Sequence, residues 1–215
     1  TTGSENTALG RSALMSNTTA IDNTAVGYNS LNTNSTGAQN VAVGRSALTA
    51  NTTAAYNTAI GTYALSANTT GNNNTAVGKS ALVANTTASY ITGVGYQALK
   101  LNTTGTANVA LGADALRQNL TGAANVAVGN NALVLNTASN NTAVGKDAGT
   151  AVTSGTQNTF VGALAGDGTD DGSNNVAVGF EALSANCGSQ NTALGTRSGK
   201  VTTGAENTFV GSTAG

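Results

Sequence analysis

The stretch NTAVGYNSL, Asn23 to Leu31, returns as NVAVGRSAL from Asn40, NTAIGTYAL from Asn57 and NTAVGKSAL from Asn74. A chain that spells nearly the same nine residues every seventeen positions builds one structural unit many times over. Taking the glycine of the motif as anchor gives Gly10, Gly27, Gly44, Gly61, Gly78, Gly95, Gly112, Gly129, Gly145, Gly162, Gly179, Gly195 and Gly211. The first eight are seventeen apart and the later gaps are sixteen or seventeen, so thirteen units fill the 215 residues. No stretch is left over for a separate catalytic domain.

Each unit carries strand and turn signals. The residue before the anchor is always a branched aliphatic, from Leu9 and Val26 to Leu194 and Val210. Three before the anchor stands Thr or Val, a β-branched pair that favours extended backbone. The alternation of an extended segment puts these two rows on one face, and the aliphatic row predicts that this face is the core. The residue between them is Ala in ten units, with Gly93, Phe160 and Phe209 in the other three. That small opposite face predicts the close approach of another surface. Leu four after the anchor, as in Leu31, Leu48 and Leu65, predicts a second core row. An Asn seven after it, from Asn17 and Asn34 to Asn136 and, in a later unit, Asn186, opens a turn of the Asn-Thr-Thr-Gly type.

Four before the anchor is another Asn row: Asn6, Asn23, Asn40, Asn57, Asn74, Asn108, Asn125, Asn141, Asn158, Asn175, Asn191 and Asn207, interrupted only by Ile91. Stacked at the spacing of adjacent strands, such amides bond one to the next in a ladder. High Gly and β-branched content and two turn signals per unit argue against helices. The pattern predicts an all-β fold, a parallel β-solenoid of about 13 coils and roughly 60 Å length at about 4.8 Å per coil.

Two regions are distinguishable. Residues 1–144 hold regular Ala-Leu units. Residues 145–215 hold variants in which Ala-Leu becomes Ala148-Gly149, Ala165-Gly166, Ser198-Gly199 and Ala214-Gly215. In two of these cases Phe appears in the next strand, which reads as a volume exchange in the same packing. A finer period is present as well. One residue after the anchor, Arg11, Tyr28, Arg45, Lys79 and Tyr96 form a basic and aromatic row, in which neighbouring cations and rings can stack.

Composition excludes several functions. Charged residues are 8% and aromatics 4%, the net charge is -1, and Pro, His and Trp are absent. Eight Lys and Arg make no basic surface for nucleic acid. No apolar run is long enough to span a membrane. Without His, and with Cys187 alone, triads and zinc sites have no parts. Cys187 reads as a small substitute in a Thr row. The weak candidates for a metal are Asp167, Asp170 and Asp171, which lack EF-hand spacing; a solvated turn is the simpler reading. No cofactor and no enzymatic activity are expected. Because the sequence begins and ends within the pattern, it reads as part of a longer chain.

The run Asn-Thr-Ala-Val-Gly-x-x-Ala-Leu followed by Asn-Thr-Thr-Gly resembles repeats of bacteriophage tail-fibre proteins and related bacterial surface proteins. More loosely it is similar to the head repeats of trimeric autotransporter adhesins. That resemblance covers nearly the whole chain and implies a homotrimer of left-handed parallel β-rolls, extracellular, on a virion tail fibre or a cell surface. The period of seventeen departs from the fourteen or fifteen of the adhesin heads. A thin rod buries little per coil, so an intertwined or side-by-side homotrimer, packed through the Ala face, is expected to complete the fold. The function expected is a structural shaft or receptor-binding fibre segment, in which the row Arg11, Tyr28, Arg45, Lys79 and Tyr96 meets a host glycan or protein or merely keeps the rod soluble. Two alternatives rest on other features. Asn-x-Thr triplets such as Asn17-Thr18-Thr19, Asn51-Thr52-Thr53 and Asn73-Asn74-Thr75 allow a glycosylated extracellular filament. Regular Thr rows allow an ice-binding solenoid, although adjacent Thr-Thr pairs point to opposite sides of a strand.

Overall fold

The structure, a computed structural model, describes residues 2–215. Thirteen three-residue strands, from β1 (Thr7–Leu9) to β13 (Thr208–Val210), form one parallel sheet in chain order. The register is strict: Thr24 lies beside Val41, Ala25 beside Ala42 and Val26 beside Val43, and the next pairs repeat the offset. Each strand and its return path make one coil, numbered here from coil 1 at Gly10 to coil 13 at Gly211. The fold is an all-β parallel solenoid with a seventeen-residue repeat, and no helix occurs among the described residues.

Pairing between coils does not stop at the strands. Asn29 N–H donates to Arg11 C=O of the coil before at 3.0 Å, while Leu31 N–H donates to Ala47 C=O of the coil after at 3.0 Å. Further round, Ser35 N–H reaches Thr52 C=O at 2.9 Å. Buried backbone groups must find partners, and here the neighbouring coil supplies them around most of the circumference. The anchor glycines form a column of their own. A Cβ on Gly44, where φ is +131°, would stand 2.7 Å from the carbonyl carbon of Gly61, so both the conformation and the contact require glycine.

The two faces of the strand are the reverse of those expected from the aliphatic row. The middle residue points inward: Ala25, Ala42, Ala59 and Ala76 are fully buried. The flanking residues point outward, and Ile60 is 41% and Leu194 40% exposed. The coil is narrow, and its second wall already supplies a large side chain. Leu31, Leu48, Leu65, Leu82 and their equivalents are fully buried opposite the Ala column. A Cβ built on Gly93, the strand-centre residue of coil 6, would lie 3.3 Å from Leu82 Cγ, so the gap holds one Leu and one methyl and not two large groups. The Ala face is therefore interior and cannot be where another chain packs.

These leucines are held in a costly backbone conformation. Leu31, Leu48, Leu65 and Leu82 have φ between +48° and +53°. The positions five before and two after each anchor are left-handed too, for example Tyr56 and Tyr63. Left-handed backbone costs a non-glycine residue about 1–2 kcal/mol, so the stacked hydrogen bonds and the core must outweigh it at every coil.

Candidate interaction surface

The outward sheet face is built from two columns. One is Thr or Val three before the anchor, the other the branched aliphatic before it. Both run unbroken through thirteen coils, and neither contains a charge. Every strand pairs in register, and the face is uncharged along its whole length, with one column aliphatic throughout and the other Thr in nine coils and Val in four. Ordinary monomers rarely expose large contiguous apolar patches, and here the aliphatic column runs through every coil without a break.

Two rows border the face. On the edge after the anchor stand Arg11, Tyr28, Arg45, Lys79 and Tyr96, all exposed. The structure brings some of them together. The Arg11 guanidinium lies 5.9 Å from the Tyr28 ring centre on the next coil, whereas Arg45 turns to Tyr63, at 5.0 Å, and donates to its hydroxyl. On the opposite edge, five before the anchor, stand Glu5, Asp22, Tyr56 and Tyr90, a row that sequence reasoning did not single out. Its signal was available: the residue preceding each ladder Asn, counted once per unit. Tyr56 is 59% and Tyr90 69% exposed. Hydrogen bonding with the Asp22 side chain, and then its nearby charge, raise the Glu5 carboxyl above its ordinary pKa.

The Asn rows lie under this surface and stiffen it. Asn23 Oδ1 accepts from Asn40 N–H at 2.9 Å, and the Asn40 amide donates to Ala54 C=O at 2.9 Å. The same link to the backbone N–H of the next row member recurs at Asn6, Asn40, Asn57, Asn108, Asn125, Asn141, Asn158, Asn175 and Asn191. It closes on Asn207. At Ile91 the row is interrupted: Asn74 Oδ1 still receives the Ile91 N–H at 3.0 Å, but Ile91 has no amide to pass on to Asn108. The second row behaves alike, with Asn51 donating to Asn34 Oδ1 at 2.8 Å and to Ala54 C=O at 2.9 Å. It ends at Asn136. Thereafter the buried positions are Val152, Thr169 and Cys187. Asn186 is exposed and does not belong to that row, and the thiol of Cys187 lies 3.3 Å from Thr169 Oγ1 inside the coil. Cys187 thus occupies the line of the second Asn row and not a surface Thr row, because coil 11 carries one residue more before its turn closes.

The remaining expectations divide by position. Asp167, Asp170 and Asp171 are not brought together into a metal cage, and among the described residues no three His, Cys, Asp or Glu side chains are. Burial raises the Asp167 carboxyl, while Asp170 accepts from the Thr153 hydroxyl and Asp171 is exposed. Of the glycan acceptor triplets, Asn51 is fully buried with its amide engaged, whereas Asn73 is exposed. The paired threonines are split: Thr52 is half-buried and donates to Thr69 C=O at 3.2 Å, and Thr53 faces out. No pocket opens among the described residues. No protein-family model, no curated protein and no solved structure matches the chain.

Proposed function

We propose that the chain is a shaft or adhesive segment of an extracellular fibre, either a phage tail fibre or a cell-surface adhesin, that works as a homotrimer and catalyses nothing. One observation carries this reading: an uncharged strip two side chains wide, one column aliphatic and the other Thr or Val, runs the length of a thirteen-coil rod and has nothing over it in the single chain. Covering it with further copies of the same chain gives the thin coil a second core. Oligomerisation then uses the Thr/Val and aliphatic columns, since the Ala column expected to serve is interior. A rod of stacked coils in which each unit contacts only its neighbours transmits length and stiffness, as a shaft requires. The repetition favours this mechanical role over a single binding cleft.

The test is the chain count. Light scattering on the purified chain gives three copies, and Val77→Glu with Val94→Glu, which places carboxylates on the outward columns without touching the interior, gives a folded monomer. A wild-type chain that stays monomeric at tens of micromolar overturns the reading.

A further inference from the structure

Resting on the proposed self-association, we infer that the two rims of the outward face are complementary halves of one contact, so that the chains lie parallel and in register, the Arg11 edge of one against the Glu5 edge of the next. In the single chain the charges at this end are unmatched. Glu5 and Asp22 stack on adjacent coils with no cation paired to either among the described residues, and Asp22 disfavours the charge of Glu5. On the far edge Arg11 and Arg45 have only aromatic rings beside them, and among the described residues no carboxylate pairs with either. Six residue steps separate the edges, at most about 20 Å of extended chain, and among the described residues no ion pair joins the two sets within the chain.

A neighbouring copy related by rotation about the rod axis solves this. At the level of coil 1 it presents Arg11 to Glu5, with Asp22 one coil away. Farther along, Tyr96 stands at the level of Tyr90 and Ala113 at that of Ala107, while Thr62 stands opposite Tyr56 and Phe180 opposite Asn174. The antiparallel alternative, with coil 1 against coil 13, sets Glu5 against Glu206 and Lys79 against Lys146. Like charges across an interface are how wrong partners are rejected. The strip with its rims offers on the order of 1,000 Å² per chain from about 60 Å by at most 20 Å, an area that a trimer divides between two neighbours.

Charge reversal tests the pairing, because the residues are on the surface and circular dichroism verifies that each variant folds. Glu5→Lys with Asp22→Lys, or Arg11→Glu with Arg45→Glu, is expected to raise the concentration at which the oligomer dissociates by tenfold or more. The chain carrying all four changes is expected to recover wild-type association, since every interface then regains opposite charges. Failure of the fourfold variant to recover, or no effect of either pair of changes on an oligomer that still forms, overturns the inference while leaving the self-association intact. Tighter association on Glu5→Lys overturns it in favour of the antiparallel arrangement. A wild-type monomer defeats the underlying reading instead, and light scattering separates that outcome from the rest.

Discussion

Coils 3 to 8 and coils 9 to 13 fill the same cross-section with different side chains. In the first group each coil has a buried Leu with positive φ, and the strand centre is Ala in every coil except coil 6, where it is Gly93. In coils 9 and 10 the Leu positions are Gly149 and Gly166, with φ of +61° and +62°, and the strand centre between them is Phe160, fully buried. A Cβ on Gly166 would stand 2.5 Å from Phe160 Cδ1, and one on Gly149 would stand 3.0 Å from Cδ2, so one ring occupies the space of two leucines. Coils 12 and 13 repeat the solution with Gly199, Gly215 and Phe209, while coil 11 keeps Leu183. The volume is supplied from either wall. The glycine version also relieves the left-handed backbone that each Leu must adopt.

Removing the shared ring is the harshest test of this exchange. Phe160→Ala leaves two coils without a filler and is expected to cost about 3–5 kcal/mol, against about 2–5 for Leu82→Ala, whose cavity belongs to one coil. Thermal and denaturant unfolding followed by circular dichroism compares the two. Gly166→Leu alone overpacks the same space and should cost about 1–3 kcal/mol or more. Combined with Gly149→Leu and Phe160→Ala it rebuilds the Ala-Leu type and should regain most of that loss; a triple variant no more stable than Phe160→Ala would show that the later coils differ in backbone shape as well as in filling.

Smaller effects belong to the ladders and the charges. Asn57→Ala deprives the Asn74 N–H of its acceptor and Gly71 C=O of a donor, at about 1–3 kcal/mol for a buried group left unpaired. Ile91→Asn, which restores the missing rung at the expense of a buried apolar side chain, should change stability by less than Asn57→Ala does. Both are read from the same unfolding curves. The ends should respond oppositely to acid. The ammonium of Lys200 at 2.5 Å, and then Arg197 at 2.8 Å, hold the Glu181 carboxyl below its ordinary pKa. Its contribution is therefore present above the unfolded carboxyl pKa of about 4.3 and is lost as pH falls through the lowered value. Glu5 is raised by Asp22, so protonation relieves coils 1 and 2 first, as pH falls through that raised value towards about 4.3, and coils 11 and 12 weaken below it. Amide exchange between about pH 6 and 3, corrected for the intrinsic rate, should show protection rising at one end and falling at the other.

Much of this was readable from spacing. Seventeen-residue anchors implied stacked coils, a run of Asn at one phase implied rungs, and the pairing of lost Leu with gained Phe implied a shared space. The face of the strand was not readable. A Thr-Ala-Val strand offers a β-branched face and a small face, and the usual preference for aliphatic residues inside assigns the wrong one. The row of Glu5, Asp22, Tyr56 and Tyr90 escaped notice for a related reason: its residue types vary too much to look like a row until the coil places them at one corner. Cys187 was misplaced because a single extra residue before the turn shifts the phase, and only hydrogen-bond register reveals where the shift is absorbed.

Period, strand sites, turn glycines and polar rungs were determined by the chain itself, because each depends on local conformation or on identical units meeting their own copies. Which wall supplies the bulk, and so which apolar column is left facing outward, was decided only by tertiary structure. The interior of a narrow coil has a fixed width, and Leu from the turn already takes up most of it, leaving room at the strand for a methyl group alone.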